Sequence, residues 1–190
     1  MEYAAAGFVS LGCETFSSVG IWGFNAPEWH ISCIAGIFLS CPPSGIYPTD
    51  TPDQVQYKLD HSNSSVLVLE DAGKLSKVKA LVDKLPSLNA IVMYGGKPEI
   101  SSIKRAKGSD VAVLAWADLI ARGQTEMPKV REELANRERG IKPGHCAALI
   151  YTSGTTGMPK AKLGLTLSYD GFFLLTVYHK SNSNITTYNY

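Results

Sequence analysis

Short apolar runs alternate with longer helical patterns along most of this chain. The apolar runs are rich in β-forming residues and have the length of buried strands. We place strands at residues 18–24, 44–47, 65–69, 90–93, 111–114 and 146–151. Because helical patterns separate most of these runs, the sequence predicts βαβ units. We therefore expect an α/β fold with a mostly parallel sheet flanked by helices.

Helical patterns occupy most intervals between the strands. Asn25 is placed to cap the second helix, with Pro27 in its first turn, and Thr51 begins the third helix. Lys74 is one of several lysines in the fourth helix that we expect to face solvent. We place helices at residues 1–16, 25–39, 51–60, 71–84 and 116–121, with an exposed helix or linker at 126–138.

Charge and cysteine content exclude several functional classes. The 190 residues include 18 Lys and Arg and 17 Asp and Glu, a net charge of +1 that lacks the basic excess of a dedicated nucleic-acid binder. The cysteines show no C-x-x-C spacing, so neither a zinc site nor a thioredoxin-like motif is supported. We expect small buried thiols in a reducing compartment at Cys13, Cys33, Cys41 and Cys146.

The most apolar stretch, residues 31–41, is about half the ~20 residues that a membrane-spanning helix needs. The first residues also lack the charged-then-apolar pattern of a secretory signal. We therefore expect no membrane span and, by elimination, a cytoplasmic protein.

The segment with the clearest chemistry is Tyr-Thr-Ser-Gly-Thr-Thr-Gly-Met-Pro-Lys, residues 151–160, directly after the last predicted strand. It places four hydroxyl side chains and two glycines within residues 152–157, and Lys160 follows three residues after Gly157. Glycines allow successive backbone N–H groups to approach one anion, and hydroxyls donate to phosphate oxygens. Lys160 adds a compact positive charge. This composition and order favour a polyphosphate ligand over an ordinary polar turn.

Two better-known phosphate motifs do not fit this segment. A Walker A loop needs four residues between its glycines and a lysine directly after the second, whereas only two residues separate Gly154 from Gly157. The dinucleotide pattern G-x-G-x-x-G is also absent from it.

Residues 152–160 instead resemble the signature of the adenylate-forming superfamily, which includes acyl-CoA synthetases, luciferases and peptide-synthetase adenylation domains. Two upstream segments narrow the resemblance to the bubblegum-type long-chain acyl-CoA synthetases. Residues 23–29, GFNAPEW, are similar to that group's GFNSPEW, and residues 45–52, GIYPTDTP, are similar to its GIYTTNSP. The resemblance extends from about residue 5 to residue 161.

This resemblance implies a partial N-terminal domain of an adenylate-forming enzyme, a long-chain fatty acid–CoA ligase. A fatty acid and ATP with Mg²⁺ would give an acyl-adenylate and pyrophosphate, and coenzyme A would then displace AMP. It also implies ATP contacts, through the β and γ phosphates, at Thr152, Ser153, Gly154, Thr155, Thr156, Gly157 and Lys160. Long-chain synthetases often lie on membrane surfaces, so the resemblance also leaves open peripheral association with the endoplasmic reticulum membrane.

The match ends after Ala161, so we divide the chain into a partial AMP-binding domain, residues 1–161, and a divergent, poorly ordered tail, residues 162–190. The family's remaining nucleotide, metal and catalytic motifs would lie downstream, so the catalytic residues stay unknown. We expect this chain to be a truncated fragment, inactive alone. Two alternatives stay open: a non-catalytic nucleotide-binding or interaction protein, and an enzyme that activates aryl or amino acids.

Several upstream residues receive structural roles. We expect Trp29 to anchor the core, and we expect His61 and His145 to be structural because neither has a partner at catalytic spacing. Tyr47 is placed to line a groove and receives no role of its own.

Overall fold

The computed structural model describes residues 1–152, and the backbone of the strands within residues 160–169, 172–181 and 184–187. Among these residues, five α-helices and a short 3-10 turn at Val82–Lys84 are present. The helices are α1 (Glu2–Ser10), α2 (Pro27–Phe38), α3 (Pro52–His61), α4 (Ala72–Lys79) and α5 (Trp116–Arg139).

The strands form one sheet in the order β10-β9-β8-β7-β2-β1-β3-β4-β6-β5. The six strands from β7 to β6 in that order run parallel, and antiparallel pairs extend the sheet at both ends. The fold is thus α/β with a mostly parallel core, as the sequence predicts. The strands are β1 (Ser18–Trp22), β2 (Pro43–Ile46), β3 (Ser64–Leu69), β4 (Ala90–Met93), β5 (Ser102–Ile103), β6 (Val111–Ala115), β7 (Cys146–Thr152), β8 (Lys160–Tyr169), β9 (Phe172–Ser181) and β10 (Asn184–Thr187).

Helices cover both faces of the central parallel strands β1, β3 and β4. One face packs Leu67 and Ile91 of the sheet against Val55 and Leu59 of α3 and against α4. The opposite face packs alternate strand residues such as Val66 against α1, α2 and α5. Central strands are therefore buried on both sides, which explains why they are continuous apolar runs rather than alternating ones.

The long helix α5 corrects the prediction of a short helix followed by an exposed helix or linker. It runs without a break through Gly123 and Pro128. Gly123 lies where α1 crosses, and a Cβ atom there would be 1.8 Å from the Tyr3 carbonyl oxygen. Leu119, Gly123 and Met127 form its buried stripe. Packing against α1 thus outweighs the weak local preference for helix.

Three further predictions about helices were wrong. Helix α1 ends at Ser10 rather than residue 16, and Gly12 has a left-handed φ of 85° that no continuing helix would contain. Ala26, not Asn25, precedes the first turn of α2, and no side chain caps it. Lys74 is buried rather than solvated, because its ammonium group pairs with Glu70 at 2.9 Å and Asp71 at 2.7 Å.

Candidate phosphate-binding site

The two ends of the predicted phosphate-binding segment lie together at the end of β7. Thr152 is the last residue of β7, and it pairs across the antiparallel ladder with Lys160, the first residue of β8. The other predicted contacts lie outside the described residues: Ser153, Gly154, Thr155, Thr156 and Gly157. The structure therefore describes where the segment leaves and rejoins the sheet, while its predicted phosphate contacts stay predictions.

The three segments that the sequence singled out meet at one edge of the sheet. Strands β7, β2 and β1 are adjacent and parallel, so their carboxyl ends lie side by side. A groove of about 690 Å³ runs along this edge and onto the α2 face. Ligands of open α/β sheets bind outside the carboxyl ends of the strands. The groove is lined by Gly23, Phe24, Asn25, Trp29, Cys33, Pro43, Gly45, Ile46, Tyr47, Pro48 and Ala148 to Tyr151.

The groove is mainly apolar, and large aromatic groups are exposed at its mouth. Phe24 is 65% exposed and Tyr47 is 55% exposed, whereas Trp29 is half-buried and packs against the core. Tyr47 therefore lines a groove, as predicted from the sequence, and Asn25 lies in the same groove rather than capping a helix. Exposed aromatic side chains next to a concave surface are typical of binding regions.

Hydrogen bonds hold the backbone of the segments that follow β1 and β2. The Trp22 indole N–H donates to the Tyr47 carbonyl oxygen at 2.9 Å. The Tyr94 hydroxyl donates to the Phe24 carbonyl oxygen at 3.0 Å, and the Phe24 amide donates to Glu70 at 3.3 Å. Burial raises the pKa of Tyr94 to about 12, so this phenol stays protonated as a donor at neutral pH.

Beneath Tyr151 lies a group that we call the Lys58 cluster: Tyr47, Asp50, Lys58, His61 and Tyr151. Lys58 is 1% exposed, and its ammonium group forms an ion pair with the Asp50 carboxylate. The ammonium nitrogen also lies 4.9 Å from the ring centre of Tyr47 and 5.5 Å from that of Tyr151. A buried charge requires such partners, because removing it from water is unfavourable.

The hydroxyl of Tyr151 connects β7 to α3. It lies 2.9 Å from His61 Nδ1 and also donates to the Lys58 carbonyl oxygen at 3.4 Å. Burial raises the pKa of Tyr151 to about 12, so the phenol is neutral and available as a donor at physiological pH.

Sequence spacing did not reveal the Lys58 cluster. The partner of His61 is 90 residues away, so no local motif contains both. One signal was present: Lys58 falls three residues after Val55 and next to Leu59, on the buried stripe of α3. His145 contacts Phe16 edge-on with ring centres 5.6 Å apart, and it lies outside this cluster.

The cysteines are all free thiols, with Cys13 and Cys41 buried and Cys33 and Cys146 half-buried. Within the described residues, no group of three or more His, Cys, Asp or Glu side chains is arranged to hold a metal ion. Of the helices that the structure describes, none combines the length and apolarity needed to cross a bilayer.

Residues 1–163 match the sequence model of a family described as "AMP-binding enzyme". This chain belongs to the AMP-binding enzyme family. The match covers the strands around the groove and ends just after the Thr152 to Lys160 segment.

Its curated relatives include long-chain-fatty-acid–CoA ligases. The chain is 36% identical over 170 residues to the ligase heimdall of Drosophila melanogaster, a match that covers 90% of this chain and 24% of the relative. It is 35% identical to ACSBG2 of Xenopus laevis, covering 88% and 21%, and 33% identical to human ACSBG2, covering 88% and 23%. The chain therefore spans about a quarter of the length of these relatives.

Solved structures agree on the fold. The anthranilate CoA ligase AuaEII, solved in complex with anthranoyl-AMP, superposes with a TM-score of 0.65 at 21% identity, over 86% of this chain and 28% of that one. The adenylation domain of a carboxylate reductase from Mycobacterium chelonae gives 0.58 at 19% identity, over 86% and 26%. Both matches support the α/β architecture of an adenylation domain.

Proposed function

We propose that this chain is the part of a long-chain fatty acid–CoA ligase that binds the phosphates of Mg-ATP. The observation that carries the proposal is the convergence of three family-like segments at the carboxyl ends of β1, β2 and β7. Thr152 and Lys160, at the two ends of the hydroxyl-rich segment, pair at that same edge. The ligase names of relatives at 33–36% identity support the substrate class.

In the proposed reaction, a carboxylate oxygen of the fatty acid attacks the α-phosphorus of ATP. The bond from that phosphorus to the bridging oxygen breaks, and pyrophosphate leaves with the electron pair. The thiolate of coenzyme A then attacks the acyl carbonyl, and AMP leaves. Such chemistry depends on positioning and charge stabilisation. We propose that the β and γ phosphates are held by Lys160 and by the hydroxyl and amide groups of residues 152–157.

Magnesium would enter with ATP as part of the substrate, and we propose no residue of this chain as its ligand. Fatty acid and coenzyme A are proposed as the other substrates of the whole enzyme. The cytoplasm, with peripheral attachment to the endoplasmic reticulum membrane, is the proposed location. No nucleic acid is proposed as a partner.

A second function follows from the share of the relatives that this chain covers. With about a quarter of their length, the chain supplies part of the ATP contacts, and we propose that it is inactive alone. Ala148, Leu149 and Ile150 of β7 are apolar and only half-buried. A non-catalytic protein that binds nucleotide or another polypeptide is therefore the second candidate.

The test is ATP–pyrophosphate exchange with palmitate and Mg²⁺, on this chain and on a product of the same gene extended to the length of the relatives. The ligase proposal predicts exchange by the extended protein and none by this chain. In the extended protein, Lys160→Ala should slow exchange about a hundredfold, which is typical for loss of one charged group that stabilises a reacting phosphate. Lys79→Ala, an exposed lysine on α4, should leave the rate unchanged. No exchange with fatty, aryl or amino acids would favour the second candidate.

A further inference from the structure

Lys58 is buried in a position where an apolar residue would satisfy the pattern of α3. Its neighbours on the same stripe, Val55 and Leu59, are apolar and buried. A buried ion pair adds little to stability compared with well-packed apolar residues of the same volume, whereas its geometry is specific. The specific geometry of the Lys58–Asp50 pair is therefore a better guide to its role than its contribution to stability.

The contacts of this ion pair join three segments of the chain. Asp50, which follows β2, also accepts a hydrogen bond from the Tyr47 amide at 2.9 Å. Lys58 of α3 lies against the Tyr47 and Tyr151 rings, and its carbonyl oxygen accepts from the Tyr151 hydroxyl at 3.4 Å. The segment after β2, helix α3 and the end of β7 thus meet at one buried charge.

The backbone ladder that joins β7 to the parallel sheet is short. In the described register, β2 and β7 share the pair Ser44 and Leu149, whereas β1 and β2 share four pairs from Val19 to Trp22. Tyr151 lies two residues beyond Leu149 and directly before Thr152. On the other side, Tyr151 and Thr152 pair with β8, and the buried ring and hydroxyl of Tyr151 add contacts to α3 beyond the last β2 pair.

We propose that the Lys58–Asp50 ion pair is a positioning device that holds Tyr151, and through it Thr152, at the carboxyl edge of the sheet. The inference rests on the proposed role of residues 152–160 in binding phosphate. Lys58 and Asp50 are positioning residues in this proposal and need no contact with ATP. The ion pair keeps the start of the phosphate-binding segment in place relative to the segment after β2.

Hydrogen–deuterium exchange of the 190-residue chain tests this without any ligand. The test compares Lys58→Met, which keeps an unbranched side chain but removes the charge, with Val113→Ala. Val113 is buried in β6, which β2, β1, β3 and β4 separate from β7. Lys58→Met should raise exchange in peptides covering β7 about tenfold, the scale expected for losing the contacts of one desolvated cation. Val113→Ala should leave β7 exchange unchanged and raise that of β6.

A second arm measures binding of inorganic triphosphate and Mg-ATP by calorimetry on the same proteins. Lys58→Met should weaken binding about tenfold while Val113→Ala binds as the wild type does. Equal β7 exchange in the two variants would overturn the positioning proposal, whatever the affinities. Increased β7 exchange in Lys58→Met, together with no binding by the wild type, would support positioning and contradict the phosphate-binding role.

If Lys58→Met does not fold, the double variant Asp50→Asn/Lys58→Met removes both charges and leaves no unpaired ion. It should fold with thermal stability close to the wild type and still show the increase in β7 exchange. A double variant that folds with unchanged β7 exchange would overturn the proposal.

Discussion

Strands β3 and β7 have similar apolar sequences, yet they lie in very different surroundings. Every residue of β3 is buried, whereas only Ala147 and Tyr151 are buried among the seven residues of β7. Helices cover both faces of β3, and β1 and β4 flank it along its length. Apolar composition therefore predicts that a strand forms, while the surrounding layers decide how fully it is covered.

The strands that form the buried core differ from the strand that leads to the proposed binding segment. Strands β1, β3 and β4 contribute buried residues to the apolar core on both faces of the sheet, and these strands carry none of the proposed phosphate contacts. The strand that leads into the proposed phosphate-binding segment is half-buried, and its Tyr151 contacts the polar Lys58 cluster. Elements used for binding commonly lie at the less stable end of a structure.

Truncating one leucine in each strand should give the largest contrast. Leu67→Ala in β3 empties a fully buried site and should lower the free energy of unfolding by about 2–5 kcal/mol. Leu149→Ala in β7 removes a half-buried side chain and should lower it by less than about 1.5 kcal/mol. Urea unfolding of both variants measures the difference. Equal losses of unfolding free energy in the two variants would contradict the view that β3 contributes more to stability than β7.

Breaking the ion pair beside β7 should have the next largest effect. Asp50→Asn leaves the Lys58 ammonium group buried without its charged partner, which should destabilise the protein by about 3 kcal/mol. Adding Lys58→Met should recover most of that loss. The same unfolding experiment on the single and double variants checks this, and a double variant no more stable than Asp50→Asn would show that the two groups act independently.

Removing the Tyr151 hydroxyl should have a smaller effect. Tyr151→Phe keeps the ring against Lys58 but loses the contacts with His61 and the Lys58 carbonyl oxygen, for a predicted loss of about 1 kcal/mol. Tyr57→Phe is the matched control, since Tyr57 contacts the same groups through its ring, with ring centres 5.4 Å from His61 and 6.4 Å from Tyr151. Thermal unfolding of both variants measures the two losses. An equal loss of stability in Tyr57→Phe would contradict the role assigned to the Tyr151 hydroxyl.

The smallest effect concerns tyrosine ionisation. Burial raises the pKa of Tyr94 and Tyr151 to about 12, so both should stay neutral when ordinary tyrosines ionise near pH 10. Because the pKa of each tyrosine is higher in the folded state, keeping the two phenols neutral favours folding. This contribution to the free energy of unfolding is complete below pH 10 and is lost as the pH rises through 12. In pH jumps followed by tyrosinate absorbance at 295 nm, the ionisation of these two residues should appear as a late phase that accompanies unfolding. Tyr151→Phe should reduce the amplitude of that phase. A single fast phase would contradict the two shifts.

Much of the fold was predictable because local patterns and tertiary packing agree in the first half of the chain. The run at residues 65–69 became β3 within one residue, and residues 90–93 became β4. Thr51 accepts from the Gln54 amide and starts α3 as the sequence indicates. Helix α5 was mispredicted because Gly123 serves a close helix crossing that only the tertiary structure reveals.

The site was predictable in part. The composition of residues 152–160 indicated phosphate binding, and the structure brings Thr152 and Lys160 to a common edge with the segments after β1 and β2. The Lys58 cluster was missed because its members are up to 104 residues apart, from Tyr47 to Tyr151. Their meeting depends on β2 and β7 being neighbours, which no local motif encodes. The domain boundary at residues 161 and 162 stays a prediction.

A ³¹P NMR titration of Mg-ATP with this chain tests whether residues 152–160 bind polyphosphate. We predict broadening of the β and γ resonances before the α resonance, unchanged in Lys79→Ala and reduced in Lys160→Ala. Equal broadening by all three proteins, or no effect of the wild type on any phosphate, would contradict this prediction.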